Sequence, residues 1–124
     1  MMKIQDLPNQ KQYGFYSNGN AMFYGQEKAR ASQGLAELKS RIVKGQATAS
    51  DQDLWQSIPT ISADAQVGDV IKDHSISQGG QAGVVFNVRD MRKRTGNIVT
   101  VIEFMFFGHT NLKDLRTRKI EIKK

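Results

Sequence analysis

The 124-residue sequence contains no cysteine and only two prolines. Without cysteine there is no disulfide framework, no thiolate nucleophile and no thiolate zinc site. No apolar run approaches the roughly 20 residues of a membrane helix. The opening "MMKIQDLPNQKQYG" carries no apolar signal-peptide core. A soluble, cytoplasmic protein is expected. Catalytic signatures are equally scarce: there is no nucleophile elbow, no P-loop and no pair of catalytic carboxylates. His74 and His109 lie far apart without metal-ligand spacing, so they read as exposed loop residues. "SDQD" at 50–53 lacks the glycine and distal glutamate of a calcium loop and reads as a helix cap. The expectation is a non-catalytic protein with no metal and no cofactor.

Acidic residues are the other scarcity, 12 against 18 basic ones, and the imbalance is local. Residues 1–70 hold seven of each sign; residues 71–124 hold eleven basic and five acidic, the entire surplus of six. A one-sided half suits a polyanion or an acidic partner surface, although a charge of about 2–8 also serves plain solubility.

Two regions are expected, residues 1–60 and 61–124. In the first, "YGFYSNGNAMFYG" sets Asn18-Gly19 between aromatic runs, a hairpin signal. Tyr13, Phe15, Tyr16, Phe23 and Tyr24 flank it, available to stack on bases or to be buried against the next helix. "QEKARASQGLAELKSRIVKG" (26–45) is the clearest helix, with Ala31, Leu35, Leu38 and Ile42 at helical spacing and Gly45 as C-terminal cap. Gly34 inside it implies either a tight contact or a mobile helix. After the polar "GQATAS", Ser50 is expected to cap a short helix with Asp51 and Asp53 in its first turn and Pro59 beyond its end. Trp55 anchors this helix against the second region.

From residue 61 the period changes to two. Val84, Phe86 and Val88 are expected on one face, with Val85, Asn87 and Arg89 on the other. In "IVTVIEFMFF" (98–107), Ile98, Thr100, Ile102, Phe104 and Phe106 share a face. Both faces are apolar, which predicts a central, covered strand. "LRTRKIEIKK" (115–124) alternates Ile120 and Ile122 with charge, as a lysine-guarded edge strand does. Short strands with tight turns predict a small antiparallel barrel.

"VGDVIKDHSISQGGQAGVVFNV" (67–88) resembles the KOW motif of SH3-like barrels in ribosomal proteins and NusG-type transcription factors, a likeness extending over about residues 67–107. Gly68-Asp69 and Val70-Ile71 match its start, Gly80 its loop glycine, and residues 83–88 its second strand. The family's additional glycine near Ser75 or Ile76 is absent. Gly83 is expected to let its strand cross close to the preceding one, Gly79-Gly80 to supply positive φ, and Asp69 to bind turn amides. The resemblance implies RNA or polymerase contact through the loop at 73–82, yet that loop contains no Lys or Arg.

The fold class expected is α+β, with an N-terminal hairpin and two helices packed on a small SH3-like barrel. The cations lie in the next hairpin (Arg89, Arg92, Lys93, Arg94) and the last segment (Lys113, Arg116, Arg118, Lys119, Lys123, Lys124). In a five-stranded barrel these form one stripe that binds duplex DNA or structured RNA. A bacterial or phage transcription- or chromatin-modulating accessory factor fits that activity. The alternative is a module docking on RNA polymerase, a ribosome or a virion component through Trp55, Phe104, Phe106 and Phe107. Monomer and homodimer both remain open.

Overall fold

The computed structural model describes residues 2–7, 24–75 and 79–124. The hairpin expected at Asn18-Gly19 lies outside the described residues. A 3-10 turn at Ile4–Asp6 comes first, followed by helix α1 (Tyr24–Val43) and helix α2 (Ala49–Ser57). Four strands follow: β1 (Val70–Asp73), β2 (Gln81–Arg92), β3 (Ile98–Phe107) and β4 (Leu115–Lys123). They form one curled antiparallel sheet in the order β1-β2-β3-β4, a half-barrel.

α1 ends as its sequence requires. Gly45 sits at φ 72, its N–H bonds the Ile42 carbonyl, and the Gln46 N–H bonds that of Arg41 at 2.8 Å. This paired pattern closes the last turn and needs a left-handed residue, which glycine adopts freely. Gly34 is buried, and Ser32 two positions earlier donates to the Met105 carbonyl at 3.1 Å. α2 begins earlier than expected. Thr48, not Ser50, is the cap: its side chain accepts from the Asp51 N–H while Asp51 accepts from the Thr48 N–H, both at 3.1 Å. The reciprocal box satisfies two otherwise orphan donors.

The sheet carries an apolar core on each face. On one, Leu35 and Leu38 of α1 and Leu54 and Trp55 of α2 meet Val70, Ala82 and Val84. Residues on both sides of the 60/61 boundary thus share a core. Burial of each such Leu or Val contributes about 1.5–3 kcal/mol, which outweighs the cost of about 1 kcal/mol for a glycine within α1. On the other face, Ile71, Val85, Ile102, Phe104 and Phe106 cluster with Val88, Ile120 and Ile122. Residues of both edge strands meet there, so this is the inside of the curl.

The two-residue alternation in β2 breaks at a bulge. Val85 pairs with Phe104, yet Asn87 pairs with Glu103, so Phe86 is the extra residue. Val84 therefore shares its face with Asn87 and Arg89, and Val88 joins Val85 inside. The expected face of Val84, Phe86 and Val88 is corrected accordingly, because one inserted residue reverses every side chain after it. β3 matches its expectation. It lies between β2 and β4, with Phe104 and Phe106 inward and Met105 against the helical core.

Gly79 and Gly80, which lead into β2, take φ 80 and 93, a conformation glycine adopts without strain. Asp69 accepts from the Gln66 N–H at 2.8 Å, fixing the turn into β1. Gly83 answers to a different neighbour from the one expected. A Cβ there would fall on the Met105 carbonyl oxygen and lie 3.0 Å from the Phe104 ring, so the close approach is to β3 rather than β1. Gly83→Ala is expected to cost about 3 kcal/mol, at the upper end of overpacking, measured by urea denaturation.

Candidate nucleic-acid interface

The register decides which cations meet. β2 and β3 turn through residues 93–97, where the Lys93 N–H bonds the Asn97 carbonyl. β4 runs back beside β3, pairing Lys123 with Val99, and the Lys124 N–H bonds the Ile98 carbonyl. Arg92, Lys93 and Arg94 therefore share one end of the sheet with Lys123 and Lys124. Arg116 pairs with Phe106 at the opposite end of β4, following the loop that holds Lys113. At about 3.4 Å per residue, Arg116 and Lys124 stand about 27 Å apart. The expected stripe is thus a concentrated end plus a distant pair along the β4 edge.

Several of the cations are engaged within the chain. Arg89 Nη1 lies 3.4 Å from Glu103 Oε1, and Lys93 Nζ lies 2.6 Å from Glu121 Oε2. Lys124 Nζ lies 2.7 Å from Asp90 Oδ2. Among the described residues, Arg92, Arg94, Lys113, Arg116, Lys119 and Lys123 form no ion pair, and all are exposed. Hydrogen bonds from Lys124 and Thr100 hold the Asp90 carboxyl below its ordinary range. Glu103 is lowered by the Asn87 amide first and then by Arg89.

Arg118 plays a structural part. It projects into the curl from β4 and reaches across to β1, where its Nε lies 3.2 Å from Asp73 Oδ2. Its Nη2 also donates to Ser75 Oγ at 3.1 Å, and Ser75 in turn donates to Asp73 Oδ1. β1 and β4 are the sheet's two edges, so this ion pair latches the open side of the half-barrel. Sequence spacing gave no sign of it; 45 positions separate the partners.

The four residues expected to dock a protein partner are not surface groups. Trp55, Phe104, Phe106 and Phe107 are each at most 8 % exposed. Their rings are turned into the interior, because β3 is covered on both faces and Trp55 is packed where α2 meets the sheet. Trp55 anchors α2 to the sheet as expected. It also lies beneath two buried lysines: Lys39 Nζ is 5.1 Å and Lys72 Nζ 5.4 Å from its ring centroid, a cation–π distance. Lys72 donates to the Trp55 carbonyl at 2.8 Å. The signal available in sequence was Lys72 at an inward position of "VIKD".

His74 Nε2 contacts Thr60 Oγ1 at 3.2 Å. No cluster of three metal-ligating side chains occurs among the described residues. A cavity of about 30 Å³ lined by Met2, Pro59, Thr60, Asp69 and Ile71 has room for about one water. No described helix is long and apolar enough to cross a membrane. No family model, no curated protein and no solved structure matches the chain. The KOW resemblance accordingly rests on the pattern of residues 67–88.

Two outcomes are expected from this geometry. Arg118→Ala leaves the buried Asp73 carboxylate without its cation and costs about 2 kcal/mol, read by urea denaturation. Burial, aided by the charge of Lys72, lowers the Lys39 pKa from its ordinary 10.5; burial also lowers that of Lys72. Between their lowered folded values and pH 10.5 the unfolded chain therefore binds more protons than the folded one. Stability contributed by these groups rises as pH climbs through that window. Lys39→Met removes one of the two groups, so its melting temperature varies less between neutral pH and 10.5.

Proposed function

We propose that the protein binds nucleic acid without catalysis, contacting phosphates with the end of the sheet formed by the β2–β3 turn and the end of β4. The observation that carries this reading is the local imbalance there. Arg92, Lys93, Arg94, Lys123 and Lys124 gather there with two carboxylates, Asp90 and Glu121, five charges against two. The pairs Lys93–Glu121 and Lys124–Asp90 are exposed, and exposed pairs are worth at most about 1 kcal/mol, so phosphate oxygens compete for those cations. Arg92 and Arg94 add planar donors suited to phosphate forks. An accessory role in transcription or chromatin organisation accords with such sequence-independent contact.

Affinity for duplex DNA, and separately for duplex RNA, is expected to fall steeply as salt rises. Arg92→Ala, Arg94→Ala and Lys123→Ala together weaken binding across sequences and lower the log–log salt slope by about one for each phosphate no longer neutralised. Fluorescence anisotropy at several salt concentrations measures both. Absence of binding at low salt removes the proposal.

A further inference from the structure

The two edges of the sheet are finished differently. The outer side of β1 is occupied: the Lys72 N–H bonds the Pro59 carbonyl, the Lys72 carbonyl receives the Ile61 N–H, and the Val70 N–H bonds the Met2 carbonyl. β4 has no such cover among the described residues. The Lys124-to-Ile98 bond places the even-numbered residues of β4 in hydrogen-bonded pairs with β3. The backbone groups of the odd-numbered residues, 115 to 123, therefore point outward. A row of free donors and acceptors is a template for another strand.

Charge on this edge selects the occupant. We propose that β4 is a self-association edge, on which two copies pair antiparallel about Ile120 so that Lys119 of each faces Glu121 of the other. The short run Lys119-Ile120-Glu121 is its own complement about its midpoint. This register puts odd residues opposite odd residues, so the outward backbone groups of both strands meet. It also sets Ile120 against the partner's Ile120 on the inner face, where Ile120 and Ile122 are only half-buried. Thr117 then faces the partner's Lys123. Arg116 approaches the partner's Lys124, whose charge Asp90 already offsets at 2.7 Å.

Neighbouring registers are worse. Centring on Lys119 sets that ammonium against itself, and centring on Glu121 does the same with two carboxylates and places Lys119 against Lys123. Centring on Ile122 also joins opposite charges, Glu121 with Lys123, but overlaps only residues 120–124. Like charges directly opposite destabilise a strand pair, and opposite charges contribute favourably. Within one chain Glu121 pairs with Lys93 across an exposed surface, and it keeps lone pairs for a second ammonium.

Sedimentation velocity without nucleic acid tests this independently of the proposed function, since either can fail alone. The wild-type chain is expected to shift from one-chain to two-chain mass as concentration rises toward millimolar. Glu121→Lys weakens association at least tenfold, whereas Lys119→Glu with Glu121→Lys restores it, because the exchanged charges still face each other. Register is read separately: Thr117→Cys with Lys123→Cys in this cysteine-free chain forms an oxidised dimer, since a hydrogen-bonded pair sets Cα atoms about 5.5 Å apart. A wild-type mass of one chain at every concentration overturns the proposal. So does a dimer indifferent to Glu121→Lys, a double exchange that stays monomeric while folded, or a monomer that instead accepts an acidic extended peptide along β4.

Discussion

The architecture depends on a single extra residue. By inserting Phe86, the bulge allows β2 to serve two cores in succession. Before it, Val84 faces α1 and Val85 faces into the curl; after it, Val88 continues the inner face that strict alternation assigns to Asn87. Unbulged, β2 would turn Asn87 and Arg89 into the curl and leave Val88 outside. A bulge also strengthens local twist and bends the strand, so the same residue that keeps the apolar side chains inside helps to curl the sheet. Gly83 lies on the same strand a few residues earlier, where β2 passes too close to Phe104 and Met105 for any side chain.

Curling brings the edge strands within reach of one another without hydrogen-bonding them. Asp73 and Arg118 span the remaining gap, with Ser75 holding the second carboxylate oxygen. The arrangement uses one cation of the basic half internally. Of the others, Arg92, Lys93, Arg94, Lys123 and Lys124 gather near the β2–β3 turn, Lys113 and Arg116 lie at the far end of β4, and Arg89 and Lys119 stand between. The buried lysines follow another rule. Lys39 and Lys72 bring charge into the junction of α1, α2 and β1, where the Trp55 ring and carbonyl meet them. Their stems fill apolar space while the ammoniums find the electron-rich indole.

Much of this was legible from local chemistry. The spacing of Ala31, Leu35 and Leu38 marked α1, Gly45 its end, and the doubly apolar "IVTVIEFMFF" a central strand. These signals are local because helix periodicity and capping involve residues a few positions apart. The bulge was not legible: "VVFNV" alternates acceptably in either phase, and only pairing with β3 fixes which residue is extra. Thr48 and Ser50 are both good caps, each with an aspartate three positions on (Asp51 and Asp53), so local pattern does not choose between them. The site was readable as a charge surplus but not as a shape. Whether Arg89, Lys93 or Arg118 faces solvent or a carboxylate depends on partners 14 to 45 positions away, across strands.

Trp55 is the sole tryptophan, and it sits where α2 docks on the sheet between two ammonium groups. Tryptophan emission, excited selectively over that of the three tyrosines, consequently originates at one structural joint rather than from an average over the molecule. A quencher or a denaturant that alters that signal acts on the seam between helix and half-barrel. Comparison with backbone circular dichroism then separates detachment of the helical layer from collapse of the sheet itself.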